Sequence, residues 1–118
     1  MRVIEGAGQY TAAAGGEPNH WIEHLASGDL SVGTYSIPAG GADDQEPHGE
    51  DEIYVVRDGA ATLVTGSGTA AVRPGSVIFV PAGERHQFTD VREDLSLLVV
   101  FAPPYQSRPG PGDPGPSQ

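Results

Sequence analysis

The 118-residue chain contains no cysteine. That removes disulfides, thiolate metal sites and cysteine nucleophiles together. It also contains no lysine. All 6 basic side chains are arginine, set against 16 Asp and Glu, for a formal net charge of -10. A surface this acidic repels phosphate backbones and anionic lipid, so neither nucleic acid nor a membrane is an expected partner. No apolar run approaches the roughly 18 residues that a membrane-spanning helix needs. The stretch Met1-Arg2-Val3-Ile4-Glu5-Gly6 lacks the apolar centre of a secretory signal. The expectation is a cytoplasmic protein of one domain with a modest core.

What the sequence has in quantity is glycine, at 17, and proline, at 11. Between them stand short runs of Val, Ile, Leu, Tyr and Phe, which predicts an all-β fold of short strands joined by tight turns. Strands are expected over 30–37, 53–56, 60–65, 69–72, 77–80, 85–89 and 95–101. Turns are expected at Pro38-Ala39-Gly40-Gly41, Asp58-Gly59, Gly66-Ser67-Gly68, Pro74-Gly75, Pro81-Ala82-Gly83 and the polar stretch 90–94. With the segment around His20–Leu25, which reads as a strand or one helical turn, the count is eight or nine strands. The apolar run 95–101 suits a central strand buried on both faces. Residues 1–29 read as an N-terminal arm with a possible edge strand and 30–106 as the β-barrel. Residues 107–118 hold four Pro and three Gly and are expected to be disordered.

The chemistry concentrates in two segments, 40–59 and 75–90. Alternate residues of an extended chain share a face, so Glu46 and His48 would point the same way, with Glu52 in the same parity. His86 follows the turn Pro81-Ala82-Gly83. A fold that brings His86 beside His48 makes a pocket of two imidazoles and two carboxylates, a set suited to Fe, Mn, Ni, Co or Zn. Six acidic residues lie between Asp43 and Glu52. For Asp43, Asp44, Glu50 and Asp51 the plain reading is a solvated face. Tyr54 shares the parity of Glu52 and Phe88 that of His86, so both are expected to face the interior. Trp21 is expected in the core or at the pocket mouth.

These residues resemble the two motifs of the cupin superfamily. In the first, G-x5-H-x-H-x3,4-E-x6-G, this chain has Gly40, Glu46, His48, Glu52 and Gly59. In the second, G-x5-P-x-G-x2-H-x3-N, it has Gly75, Pro81, Gly83, His86 and, in place of Asn, Asp90. The resemblance implies a double-stranded β-helix, or jelly-roll barrel, around one divalent metal ion, with Glu46, His48, Glu52 and His86 as ligands. Glu46 stands where the family has its first histidine. It reads as a ligand or as a general base, and a kink at Pro47 would give the ligand place to Gln45 instead. The implied function is a metalloenzyme of dioxygenase, isomerase, cyclase or lyase type acting on a small organic molecule. Glu46 and Tyr54 are then the acid/base candidates. The alternative is a non-catalytic cupin that binds a small molecule. A homodimer is expected, because open sheet edges are a liability that proteins cover. The arm before residue 30 could supply an edge strand to the partner.

Overall fold

A computed structural model describes residues 1–107. Apart from Ser107, the expected disordered tail lies outside the described residues. Among the described residues six strands form: β1 His20–Ala26, β2 Ser31–Ile37, β3 Asp51–Thr65, β4 Gly68–Val72, β5 Val77–Val80 and β6 His86–Ala102. All pairings are antiparallel, in the order β1-β2-β6-β3-β4, with β5 on the first part of β3. The fold is all-β, as the punctuation by Gly and Pro predicts.

The strands are fewer and longer than the sequence pattern suggests. Asp58-Gly59 does not turn the chain back. It lies within β3, where the ladder with β6 slips at Val56/Asp58, Asp58/Ala60 and Ala60/Thr62. Such bulges bend a strand without ending it. Gly59 sits there at φ +99, and a Cβ would stand 2.5 Å from the Asp94 carbonyl oxygen. The expected turn at 90–94 is the matching bend in β6, with Asp90 at φ 49. Local turn residues are therefore used here to kink two continuous strands.

The kinks close the barrel. Along the β3–β6 ladder Glu52 is opposite Phe101 and His86 is opposite Thr65. At about 3.3 Å per residue, positions 52 and 65 would be roughly 40 Å apart on a flat strand. The Glu52 and His86 side chains nevertheless meet at 3.1 Å. Inside the curl lie Tyr35, Ile37, Tyr54, Val56, Leu63, Phe88, Leu95, Leu97, Val99 and Phe101, all buried. Each such side chain contributes roughly 1.5–3 kcal/mol on leaving water. β6 holds the centre of the sheet through Leu95–Phe101, between β2 and β3.

β1 pairs with β2 of its own chain. Upstream of it, Gly8 N donates to Thr34 Oγ1 at 2.7 Å and Thr11 N to Ser36 Oγ at 3.0 Å. The arm thus folds back on its own sheet. Trp21 lies over Gly33, where even a Cβ would overlap its ring. It packs edge-on against Tyr35, Phe101 and Tyr105.

Candidate metal centre

Glu52 enters the interior by strand alternation. On β3, Glu52, Tyr54 and Val56 are buried while Asp51, Ile53 and Arg57 are exposed. His86 begins β6 just after the Pro81–Gly83 turn. That turn is tied to the other ligand segment by Gly83 N donating to His48 O at 2.7 Å and Ala82 N to Asp51 Oδ1 at 2.9 Å. The result is one group, His48, Glu52 and His86, whose ligand atoms all lie within 4.8 Å of one another.

The chemistry of the pair Glu52–His86 is decided by the far side of the His86 ring. His86 Nδ1 is 3.0 Å from the Glu84 carbonyl oxygen, which can only accept. Nδ1 therefore carries the hydrogen, and in a neutral imidazole Nε2 is left with a lone pair. That lone pair faces Glu52 Oε1 at 3.1 Å. Both residues are buried, and His86 Nε2 and both Glu52 oxygens have no aligned hydrogen-bond partner. Two buried acceptors in contact need a proton or a cation between them. Ligand bonds of about 2.1 Å at 90–109° place two donor atoms about 3.0–3.4 Å apart, which fits the observed separation. The donor set suits a divalent ion.

A second network lies beside it. Asp43, 2 % exposed, accepts from Tyr35 Oη and Phe88 N at 2.8 Å each, from Gln45 Nε2 at 3.1 Å and from Gln45 N at 3.2 Å. Gln45 Nε2 also donates to Tyr54 Oη at 3.1 Å, and Gln45 Oε1 is 3.1 Å from His48 Nε2.

Two expectations from sequence are corrected here. Glu46, expected as ligand or base, is exposed and stands outside the cluster. The segment 41–48 is not a strand, so parity does not govern it. The Asp43 carboxylate instead bonds the backbone N–H two residues on, an Asx-type turn, and Gln45 is the residue that reaches the site. The acidic run is also not wholly solvated, because Asp43 and Glu50 are both buried. Sequence reasoning missed Asp43. No local signal sets it apart from the neighbouring acids, because its partners Tyr35 and Phe88 lie on β2 and β6.

The remaining candidates fall as follows. Tyr54 is fully buried, and its ring lies 4.9 Å edge-on from Phe88 and 5.9 Å from His86. Burial, and then the charges of Glu52 and Asp43, push its phenol well above 10, so it stays protonated. Burial lowers the His48 pKa, with Glu52 opposing the shift. Burial acts in the same sense on His86, but the Glu52 carboxylate and the Glu84 carbonyl outweigh it and raise its pKa. The segment that read as a strand or one helical turn is strand β1, on which His24 Nε2 is 2.6 Å from Thr34 Oγ1.

Comparison with known proteins bears on the family and the fold. The family model described as "Cupin domain" matches residues 33–101. An uncharacterised protein of Streptomyces coelicolor is 45 % identical over 84 residues, which is 71 % of this chain and 80 % of that one. Among solved structures, TT1209 of Thermus thermophilus is 28 % identical with a TM-score of 0.69, over 79 % of this chain and 90 % of that one. An RmlC-like cupin protein of Desulfovibrio desulfuricans is 19 % identical with a TM-score of 0.73, over 88 % and 98 %. That last likeness is one of fold alone.

In the metal-free protein the two site imidazoles should titrate on opposite sides of 6.5, His86 above and His48 below. A raised histidine pKa stabilises the fold fully below the unfolded value and loses that contribution as pH rises through the folded value. The His86 contribution should therefore fade on the alkaline side of 6.5, whereas that of His48 is lost on the acid side. Proton NMR of the imidazoles checks this, and Glu52→Gln should bring the His86 titration down. Titration of both rings together near 6.5 would contradict the geometry.

Proposed function

The chain belongs to the cupin domain family, and from that premise we propose that it is a metal-dependent cupin acting on a small organic molecule. His48, Glu52 and His86 hold one divalent ion of the Fe, Mn, Co, Ni or Zn type. The observation that carries this reading is the buried contact of His86 Nε2 with Glu52 Oε1, two groups that need a proton or a cation between them. When bound, such an ion supplies a Lewis acid or a redox centre. The chain supplies the rest. Phe101 and Tyr105 pack edge-on against His48 at 5.3 and 5.2 Å and shield that side of the site from water. Tyr54, held protonated, offers Oη as a hydrogen-bond donor to a substrate oxygen. The reaction class is then of the isomerase, lyase, cyclase or dioxygenase kind.

One observation favours the second reading, a cupin that binds a small molecule without turning it over. With Glu46 exposed and Asp43 engaged by four donors, the site has no free carboxylate base among the described residues. The two readings part at Tyr54→Phe. In an enzyme it should keep the metal and lose roughly 100-fold or more in turnover.

We also propose a cytoplasmic homodimer. No helix among the described residues is long and apolar enough to cross a membrane. The outer face of the β3–β5 ladder carries the cross-strand pairs Ile53–Phe79 and Val55–Val77, with Phe79 60 % and Val77 68 % exposed. An apolar patch between Asp51 and Arg57 on a chain of charge -10 suits a second copy, since a two-fold axis sets the same patch against itself.

Two outcomes are expected. Metal analysis after equilibration with each ion should give one per chain, and His86→Ala, Glu52→Ala and His48→Ala should each lose stoichiometric metal. Full occupancy in His86→Ala and Glu52→Ala would overturn the metal reading. Light scattering should give twice the chain mass at micromolar concentration, and Phe79→Glu should halve it. A monomeric wild type would overturn the dimer.

A further inference from the structure

A Gln amide reveals its orientation through its partners. Asp43 Oδ1 can only accept from Gln45 Nε2, so the NH2 end of Gln45 is fixed towards Asp43 and Tyr54. The carbonyl end is thereby turned the other way, and in the metal-free protein Oε1 accepts from His48 Nε2 at 3.1 Å, a hydrogen that a bound ion would displace. Tyr54 is fully buried and Asp43 nearly so, so this edge of His48 faces the interior, where Glu52 and His86 stand. The spacing of Oε1 from Nε2 equals that of His86 Nε2 from Glu52 Oε1. Both are spacings that two atoms bound to one ion adopt.

We propose that Gln45 is the fourth protein group at the ion, and that buried Asp43 is the positioning residue that aims its carbonyl oxygen there. This rests on the metal reading above and deepens it. Asp43 suits the role because its own position is over-determined. Tyr35 Oη from β2, Phe88 N from β6 and Gln45 N from the loop all converge on its carboxylate. Gln87 Nε2 adds a bond to the Asp43 carbonyl at 2.8 Å. The loop is thus pinned to two neighbouring strands, β2 and β6, and the Gln45 amide has one orientation that leaves no buried donor unpaired. The consequence for chemistry is a donor set of two imidazole nitrogens, one carboxylate and one neutral amide oxygen. It is more oxygen-rich than a three-histidine set, which favours harder ions such as Mn2+ over softer ones.

The probe is Co2+ added alone to metal-free protein, read by its visible spectrum and by titration. Gln45→Leu should weaken binding about 10–100-fold and change the Co2+ bands, while the metal-free protein still unfolds cooperatively at a melting temperature lowered by the lost amide hydrogen bonds. Gln45→His should restore tight binding and move preference from Mn2+ towards Zn2+ or Ni2+. The role of Asp43 is read by reversing polarity. Gln45→Glu sets carboxylate against carboxylate and should bind weakly, whereas adding Asp43→Asn to it supplies an NH2 donor and should recover most of the affinity. In the wild type, 15N NMR should show the Gln45 side-chain NH2 protected from solvent exchange. That measurement decides the Asp43 claim even if Asp43→Asn does not fold. An unchanged Co2+ spectrum and affinity in Gln45→Leu, alongside loss of the ion in His86→Ala, would overturn Gln45 as ligand and leave the three-residue site standing. Unchanged binding in His86→Ala as well would mean that the metal reading itself had failed. A freely exchanging NH2, or no recovery in the double variant, would overturn the role of Asp43.

Discussion

Everything about this site turns on one buried contact, His86 Nε2 against Glu52 Oε1. The Glu84 carbonyl takes the hydrogen on the opposite nitrogen, which forces a lone pair towards a carboxylate. Leaving two such groups buried and unsatisfied costs several kcal/mol. A proton relieves the conflict, and so does a divalent ion. The two compete for the same lone pair, which makes metal affinity depend on pH.

The fold exists in a form that creates this contact. Glu52 and His86 lie near opposite ends of the longest ladder in the sheet, β3 with β6. Only a sheet bent on itself brings them together. The bends fall at Gly59 and Asp90, where the backbone takes positive φ, so the barrel closes because two long strands kink at matched places. The site loop 41–48 is then held by hydrogen bonds rather than by strand pairing. Asp43 anchors it to β2 and β6, and the His48 carbonyl anchors it to the turn before His86.

The fold class was legible because glycine and proline cut the apolar runs at regular intervals. The number of strands was not, because the same residues that end strands also bend them. Asp58-Gly59 has the composition of a hairpin turn, yet Gly59 lies against the Asp94 backbone inside a continuous ladder. His48, Glu52 and His86 could be singled out from spacing, since a strand and a turn hold two of them. Glu46 misled because strand parity was applied to a segment without strand pairing. There the Asp43 carboxylate, bonding the Gln45 N–H at 3.2 Å, sets which side chain turns inward. Nothing in local composition separates Asp43 from the five other acids around it, because its burial depends on Tyr35 and Phe88 from distant strands.

The central claim is that a cation belongs between His86 and Glu52. The most direct test is anomalous diffraction from crystals of the full chain grown with Co2+, measured at the cobalt edge. The account predicts one strong peak per chain within bonding distance of His86 Nε2, a Glu52 carboxylate oxygen and a His48 ring nitrogen. A crystal equally loaded with Co2+ that shows no peak there, with a protonated His86 hydrogen-bonded directly to Glu52, would contradict it.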